Sequence, residues 1–429
     1  MTADLPTHPR AAELIALEER HGAHNYHPLP VVLARGAGAL VWDVAGREYL
    51  DFLSAYSAVN QGHAHPRLVA ALTRQAGELA LTSRAFHNDK LGPYERYVTA
   101  FFGFDKVLPM NSGAEAVETA VKLCRKYAYE RRGLPPDSAT ILVCGRNFHG
   151  RTITIVSFSD DPDARGQFGP YTPGFASVPY DDLGALREAF GRIPHVAGVL
   201  VEPIQGEAGV RVPDPGFIPG VAALCREHGA LFLADEIQTG IARTGSMLAV
   251  CGDCTCTRRC ERQPATYTRP DVLILGKALS GGMYPVSAVL ADDEVMSVIR
   301  PGQHGSTYGG NPLACAVATE ALAVVEDEAL MLRARTLGAR FRERLGALAA
   351  RSDLLALVRG RGLLNAVVVD DAPDSDTAWR LCLALAEAGL LAKPTHGNII
   401  RLAPPLVIAD EQLERACAIV EEVVGRFAR

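Results

Sequence analysis

The sequence predicts an α/β protein. A large domain would carry a mostly parallel central sheet, and the C-terminus and an N-terminal arm would form a smaller α+β domain. Three observations predict this. Short apolar runs alternate with helical patterns through the middle of the chain. Two successive runs end on charges of opposite sign, Asp235 and Lys277. After Asp327 the texture changes to longer helical patterns broken by short apolar runs.

The chain has 429 residues, more than one domain usually holds. The reading assigns 1–60 to an arm with a hairpin, 61–315 to the large domain and 316–429 to the small one. The hairpin spans 39–52, with Val44-Ala45-Gly46-Arg47 as its turn. Strands are expected over 106–110, 141–144, 196–201, 230–234 and 271–275, with helices over 114–129 and 216–228. Then come helices over 311–327 and 329–350, a strand over 360–369, a helix over 377–388, a strand over 398–402 and a final helix from 409.

Composition narrows the class. Hydrophobic residues make up 48% of the chain, ample for a large core. The net charge of −6 argues against a nucleic-acid or polyanion binder. No apolar run approaches the roughly 18 residues of a membrane span. The first residues lack a charged-then-apolar pattern, and Asp4, Glu13, Glu18 and Glu19 do not suit a transit peptide. A soluble cytoplasmic protein is expected.

The chemistry starts at the strand ends. Ligands of open α/β sheets bind at the carboxyl ends of the strands. A buried, unpaired Asp or Lys is costly, so Asp235 and Lys277 together suggest a bound partner that uses both. Upstream, the strand over 106–110 leads into Asn111-Ser112-Gly113-Ala114-Glu115. Ser112 and Glu115 form a capping-box pattern at a helix start, where free N–H groups suit a phosphate. An ordinary capped helix reads the same way. Pyridoxal phosphate (PLP) needs all three features: a lysine amine for its aldehyde, a carboxylate for its ring nitrogen and a cradle for its phosphate. Neither rival nucleotide motif is present. Gly276-Lys277 lacks the earlier glycine of a P-loop, and no G-x-G-x-x-G opens a helix after the first clear strand.

Asn111-Ser-Gly-Ala-Glu-Ala, Ala234-Asp-Glu-Ile-Gln-Thr-Gly, Leu275-Gly-Lys-Ala-Leu-Ser-Gly-Gly, Gly62-His-Ala-His-Pro and His304-Gly-Ser-Thr-Tyr-Gly-Gly-Asn-Pro resemble the class III, fold-type I PLP-dependent aminotransferases. Asn25-Tyr-His-Pro-Leu-Pro, Glu202-Pro-Ile-Gln-Gly-Glu-Ala-Gly-Val and Leu391-Ala-Lys-Pro-Thr-His-Gly are most similar to the ornithine aminotransferase branch. The resemblance runs from about Tyr26 to the C-terminus. It implies transfer of the δ-amino group of L-ornithine to 2-oxoglutarate, giving glutamate-5-semialdehyde, which cyclises to pyrroline-5-carboxylate, and glutamate. It also implies a homodimer with shared sites, or a higher oligomer built from it.

The resemblance implies residue roles too. Lys277 would carry the cofactor's aldehyde and later shuttle a proton. Asp235 would keep the ring nitrogen protonated, Gln238 would bond the ring's phenolic oxygen and Phe148 would stack on the ring. Ser112, Gly113 and Ala114 would hold the phosphate. Ser306 and Thr307 would reach the cofactor of a second subunit. Arg151 and Arg401 would bind substrate carboxylates. Glu207 would pair with Arg401 while ornithine is bound and release it for the oxo acid. Tyr26 and Tyr56 would position the far end of ornithine. The bland alternatives are a snorkelling lysine, a helix cap, surface salt bridges and packing tyrosines. His63-Ala-His65 matches the family's turn and is read as structural.

One segment departs from the family pattern. Between Leu248 and Asp271 the chain is longer than expected and carries Cys251, Cys254, Cys256 and Cys260. These offer four thiolates for a structural zinc or an iron–sulfur cluster. The alternative is a thiol or disulfide-capable loop. Because it precedes the strand that ends at Lys277, the segment is expected at the sheet edge opposite the cofactor. Two rival functions stand beside the main one. Acetylornithine or 4-aminobutyrate aminotransferase is disfavoured by Tyr26, Tyr56 and Glu207 together. A non-catalytic metal-binding regulator on this scaffold is disfavoured by the presence of Lys277, Asp235 and both arginines.

Overall fold

A computed structural model describes residues 8–257 and 266–427. A seven-stranded sheet forms its centre, in the order Lys106–Met110, Ser287–Ala291, Val272–Leu275, Leu231–Asp235, Val196–Val201, Thr140–Cys144 and Phe175–Val178. Only Ser287–Ala291 runs antiparallel to its neighbours. Both faces are covered by helices, so the inner strands are apolar throughout. Val196–Val201 and Val272–Leu275 are buried at every position. Helix Gly113–Glu130 packs Val117, Val121 and Cys124 into the core on one face, with Val199 and Phe217 in the core on the other.

The five expected central strands form, each within one residue of its reading. Phe175–Val178 and Ser287–Ala291 are additional. Two four-stranded sheets make the rest. Leu33–Ala37, Leu40–Asp43 and Glu48–Asp51 form the arm sheet, which Leu390–Leu391 joins in parallel. Leu355–Arg361, Leu364–Val369, Ile399–Leu402 and Lys393–His396 form the other. The single strand expected over 360–369 is therefore a hairpin. Gly362, at φ +55, reverses the chain, and a Cβ there would lie 2.3 Å from Thr244 C. Helix Pro9–His21 in the arm was not expected. Among the described residues no helix is long and apolar enough to cross a membrane.

Arg243 ties the parts together. It is fully buried and binds Asn60 Oδ1, Leu363 O at 3.0 Å and Pro404 O at 2.6 Å. Burial pulls its guanidinium down to about 9. This clamp fixes the chain just beyond Arg401 against the large domain.

Candidate active site

The strand ends converge on one cavity of about 200 Å³. Asp235, the last residue of its strand, and Lys277, just beyond the next, both line it. Gly113 and Ala114 bring the start of helix Gly113–Glu130 to the same space, with Phe148 and Gln238 on its walls. The expected capping box is present. Ser112 Oγ accepts from Glu115 N at 3.2 Å, and Glu115 Oε2 accepts from Ser112 N at 2.8 Å. The Ser112 side chain is thus engaged by the cap, and it is Gly113 and Ala114 that face the cavity.

Asp235 is 4% exposed. Its Oδ1 accepts from Ile237 N at 3.0 Å, and its Oδ2 lies 2.6 Å from His149 Nδ1. Burial would lower the His149 pKa, but the bond to Asp235 and the charges of Asp235 and Glu202 raise it. Lys277 holds a left-handed backbone at φ +45, a strained conformation typical of functional positions. Shielding from bulk water lowers its amine pKa, partly opposed by Glu207.

Arg401 and Glu207 form the second half of the site. Their side chains meet at 2.6 Å, and Arg401 is 1% exposed. Burial would raise the Glu207 pKa, yet Arg401, Lys277 and a bond from Gln238 Nε2 at 2.8 Å hold it at about 2. Glycine at 206 leaves room for the Gln238 amide, since a Cβ there would lie 1.4 Å from Gln238 Oε1 and would push that side chain aside. The Tyr56 ring lies beneath Arg401, with 5.0 Å from guanidinium carbon to ring centroid. Tyr56 belongs to a left-handed turn in which Ser54, Ala55, Tyr56 and Ser57 all have φ between 45 and 69. Asp51 accepts from Leu53 N and Ser54 N, and Ser54 Oγ donates to Ala403 O at 2.7 Å.

Other expected residues stand at the rim or beyond. Arg151 is exposed, 5.7 Å from the Phe148 ring. Tyr26 is 67% exposed and close enough to Tyr56 to raise its pKa. Ser306 Oγ accepts from Asn111 Nδ2 at 2.8 Å, whereas Thr307 is exposed and does not line the cavity. His63 lies 2.7 Å from Asp51, and His65 lies 2.8 Å from Glu328, as structural pairs.

The sequence reading missed His149 and Glu202, both cavity walls. Glu202 accepts from Phe148 N at 2.9 Å and Gly206 N at 3.4 Å. Burial pushes its carboxyl up to about 7, partly opposed by His149. Glu202 opens a motif quoted above, and His149 follows Phe148 directly. What singles them out is burial of a titratable side chain, which one sequence does not display.

The cysteine segment corrects one expectation. It does not start at the far sheet edge. Val250 N donates at 2.8 Å to Glu236, the residue after Asp235, and Ala249 packs with Ile204 and Val210. Arg335 from the small domain donates to Cys254 O at 2.7 Å. Among the described residues no group of three or more His, Cys, Asp or Glu is placed to hold a metal ion, so the expected centre on Cys251, Cys254, Cys256 and Cys260 gains no support there. Cys260 lies outside the described residues.

The cavity fits PLP on its own features. A helix N-terminus, a buried carboxylate, a shielded amine and an aromatic ring surround one space. The close packing at Gly113 and Gly150, where a Cβ would lie 3.1 Å from Ile237 and 3.0 Å from Ala114, keeps the cradle clear of side chains. Two buried donors in and beside it, His149 Nε2 and Arg401 Nε, have no protein partner.

Comparison with known proteins agrees. The family model for "Aminotransferase class-III" matches residues 21–424. The mitochondrial ornithine aminotransferase of Rattus norvegicus is 52% identical over 98% of this chain and 92% of its own. A crystal structure of the Toxoplasma gondii ME49 ornithine aminotransferase superposes with a TM-score of 0.91 at 48% identity, covering 96% and 94% of the two chains. One described as acetylornithine aminotransferase, from Elizabethkingia anophelis, superposes at 0.88 with 60% identity over 97% and 99%. The converging strand ends, the phosphate cradle and these matches lead to one conclusion: the chain belongs to the class III aminotransferases.

Proposed function

We propose that this protein is an ornithine aminotransferase that moves the δ-amino group of L-ornithine to 2-oxoglutarate. The observation that carries this reading is the 2.6 Å pair between Glu207 and the buried Arg401. A single pocket must accept a diamino acid and a dicarboxylate in turn. With Glu207 on Arg401, the pocket presents no free cation at that end and tolerates the aminated chain of ornithine. A dicarboxylate competes for Arg401, because a guanidinium saturated by one carboxylate cannot bind a second equally well.

When bound, PLP supplies the carbonyl for amine exchange and a ring that withdraws electrons. Gly113 and Ala114 would hold its phosphate, Phe148 would cover its ring and Asp235 would face its nitrogen. The His149 partner on Asp235 fixes that carboxylate's direction. Lys277, whose amine pKa is lowered by burial, accepts and returns a proton at that amine. Arg151 at the rim takes the substrate carboxylate. Tyr26 and Tyr56 line the way toward Arg401. The dimer belongs to the same reading: Thr307, exposed here, would reach the cradle of a second chain.

An amino-donor panel with 2-oxoglutarate tests this. Ornithine should give pyrroline-5-carboxylate, and 4-aminobutyrate should be a poor donor. The 60% identity to a protein described as acetylornithine aminotransferase supports a second reading. Turnover of N-acetylornithine without ornithine would establish that one instead.

A further inference from the structure

Outside the active cavity, three guanidiniums meet with no ion pair to any of them among the described residues. Arg146 follows the strand Thr140–Cys144, Arg211 closes a bridge with Gln205, and Arg359 lies in the small-domain strand Leu355–Arg361. All three line one surface cavity of about 540 Å³. Burial lowers the pKa of Arg211 and Arg359. Arg146 lowers Arg211 further, and Arg211 and Arg146 do the same to Arg359; no carboxylate opposes this. The acids in the wall serve backbone groups. Asp160 accepts from Arg146 N at 2.7 Å, and both Asp181 oxygens accept from Asp214 N at 3.1 Å. Two guanidinium nitrogens, Arg211 Nε and Arg359 Nη2, are buried with no hydrogen-bond partner. The Arg359 fork is held in place by Nε donating to Gly209 O at 2.8 Å.

Each buried, unmet donor is costly. Like charges crowded together add to that. A bound dianion relieves both, and arginine forks match carboxylate and phosphate oxygens. We propose that Arg146, Arg211 and Arg359 form a second anion site, for a small dianion of the dicarboxylate or phosphate type. Its place gives it a use. Arg146 and Arg211 also line the neighbouring cavity of about 320 Å³, which shares Phe148 and Glu207 with the active cavity. The site therefore lies one chamber out from the Glu207–Arg401 pair. A dicarboxylate held there is concentrated beside the pocket that consumes it.

Equilibrium dialysis of labelled succinate, an unreactive dicarboxylate, against the PLP-loaded enzyme tests the site. Succinate should bind to the unaltered protein and to Arg401→Gln. Arg359→Gln should weaken this binding roughly tenfold or more, since hydrogen bonds to charged groups are worth about 1.5–3 kcal/mol. Arg146→Gln, at an exposed side chain that does not threaten folding, should weaken it in the same direction. Binding that is abolished by Arg401→Gln alone, or unchanged in both Arg359→Gln and Arg146→Gln, overturns the proposal. A competition arm separates the two ligands. Displacement of this succinate by equimolar inorganic phosphate assigns the site to dianions in general, and resistance assigns it to dicarboxylates. The measurement involves no turnover, so it stands apart from the identity of the amino donor.

Discussion

Glu202 and Glu207 wall the same cavity from one short loop, yet their carboxyls are shifted in opposite directions. Glu207 is held at about 2 and Glu202 is pushed up to about 7. Burial acts on both in the same direction. The difference lies in what faces each carboxylate. Glu207 meets Arg401 directly, with Lys277 nearby. Glu202 meets only neutral backbone N–H groups, and His149, which favours its charged form, is already bonded to Asp235. The Arg401 end is thus a permanently ionised gate, and the Asp235 end holds a proton near neutrality. A buried carboxylate takes its charge state from its partner.

The largest test of this contrast removes Lys277, the cation both carboxylates feel. Lys277→Ala should cut turnover by on the order of 10⁴ or more while far-UV circular dichroism stays unchanged; substantial residual activity would sink the mechanism. Glu207→Gln comes next. It leaves Arg401 buried without a carboxylate, which should cost about 3 kcal/mol of stability. Efficiency with ornithine should fall by about a hundredfold, and efficiency with 2-oxoglutarate should hold or rise. Equal losses on both sides would remove the gate. This stability gap also has a pH signature. The folded pKa of Glu207 is depressed, so its contribution is complete above the unfolded value of about 4.3 and disappears as pH falls toward 2.

Gly206→Ala acts on the gate at one remove. Its new methyl would displace Gln238 from Glu207, with an expected loss in kcat/KM of about tenfold. Glu202→Gln has the smallest effect. The folded pKa of Glu202 is raised, so its stabilising contribution is complete below about 4.3 and is lost as pH rises through 7. The permanently neutral variant should match the parent near pH 4.5 and melt about 2 °C higher at pH 8. An equal difference at both pH values would mean that Glu202 does not titrate there.

Asp235 and Lys277 were legible because a charge ending an apolar run has few explanations in a sheet protein. The cradle was legible because Ser112 and Glu115 fall at capping-box spacing. Glu202 and His149 were not, because their burial comes from strands and loops distant in sequence. The hairpin at Gly362 read as one strand because its turn is only two residues long and the strand before it ends in Arg359-Gly360-Arg361, which carries no apolar signal. The cysteine segment was misplaced for a topological reason. A connection between parallel strands starts at the carboxyl end of one and finishes at the amino end of the next. An insertion early in that path stays near the end it leaves, which here is Glu236.

The left-handed turn at Ser54–Ser57 has a consequence for how the substrate pocket adapts. Four consecutive L-residues in that conformation carry roughly 1–2 kcal/mol each, so the turn persists only while its neighbours restrain it. One restraint is Ala403, two residues beyond Arg401. Tyr56 and Arg401 therefore share one anchor. A shift of the Arg401 strand would therefore alter the restraint on the turn beneath Tyr56.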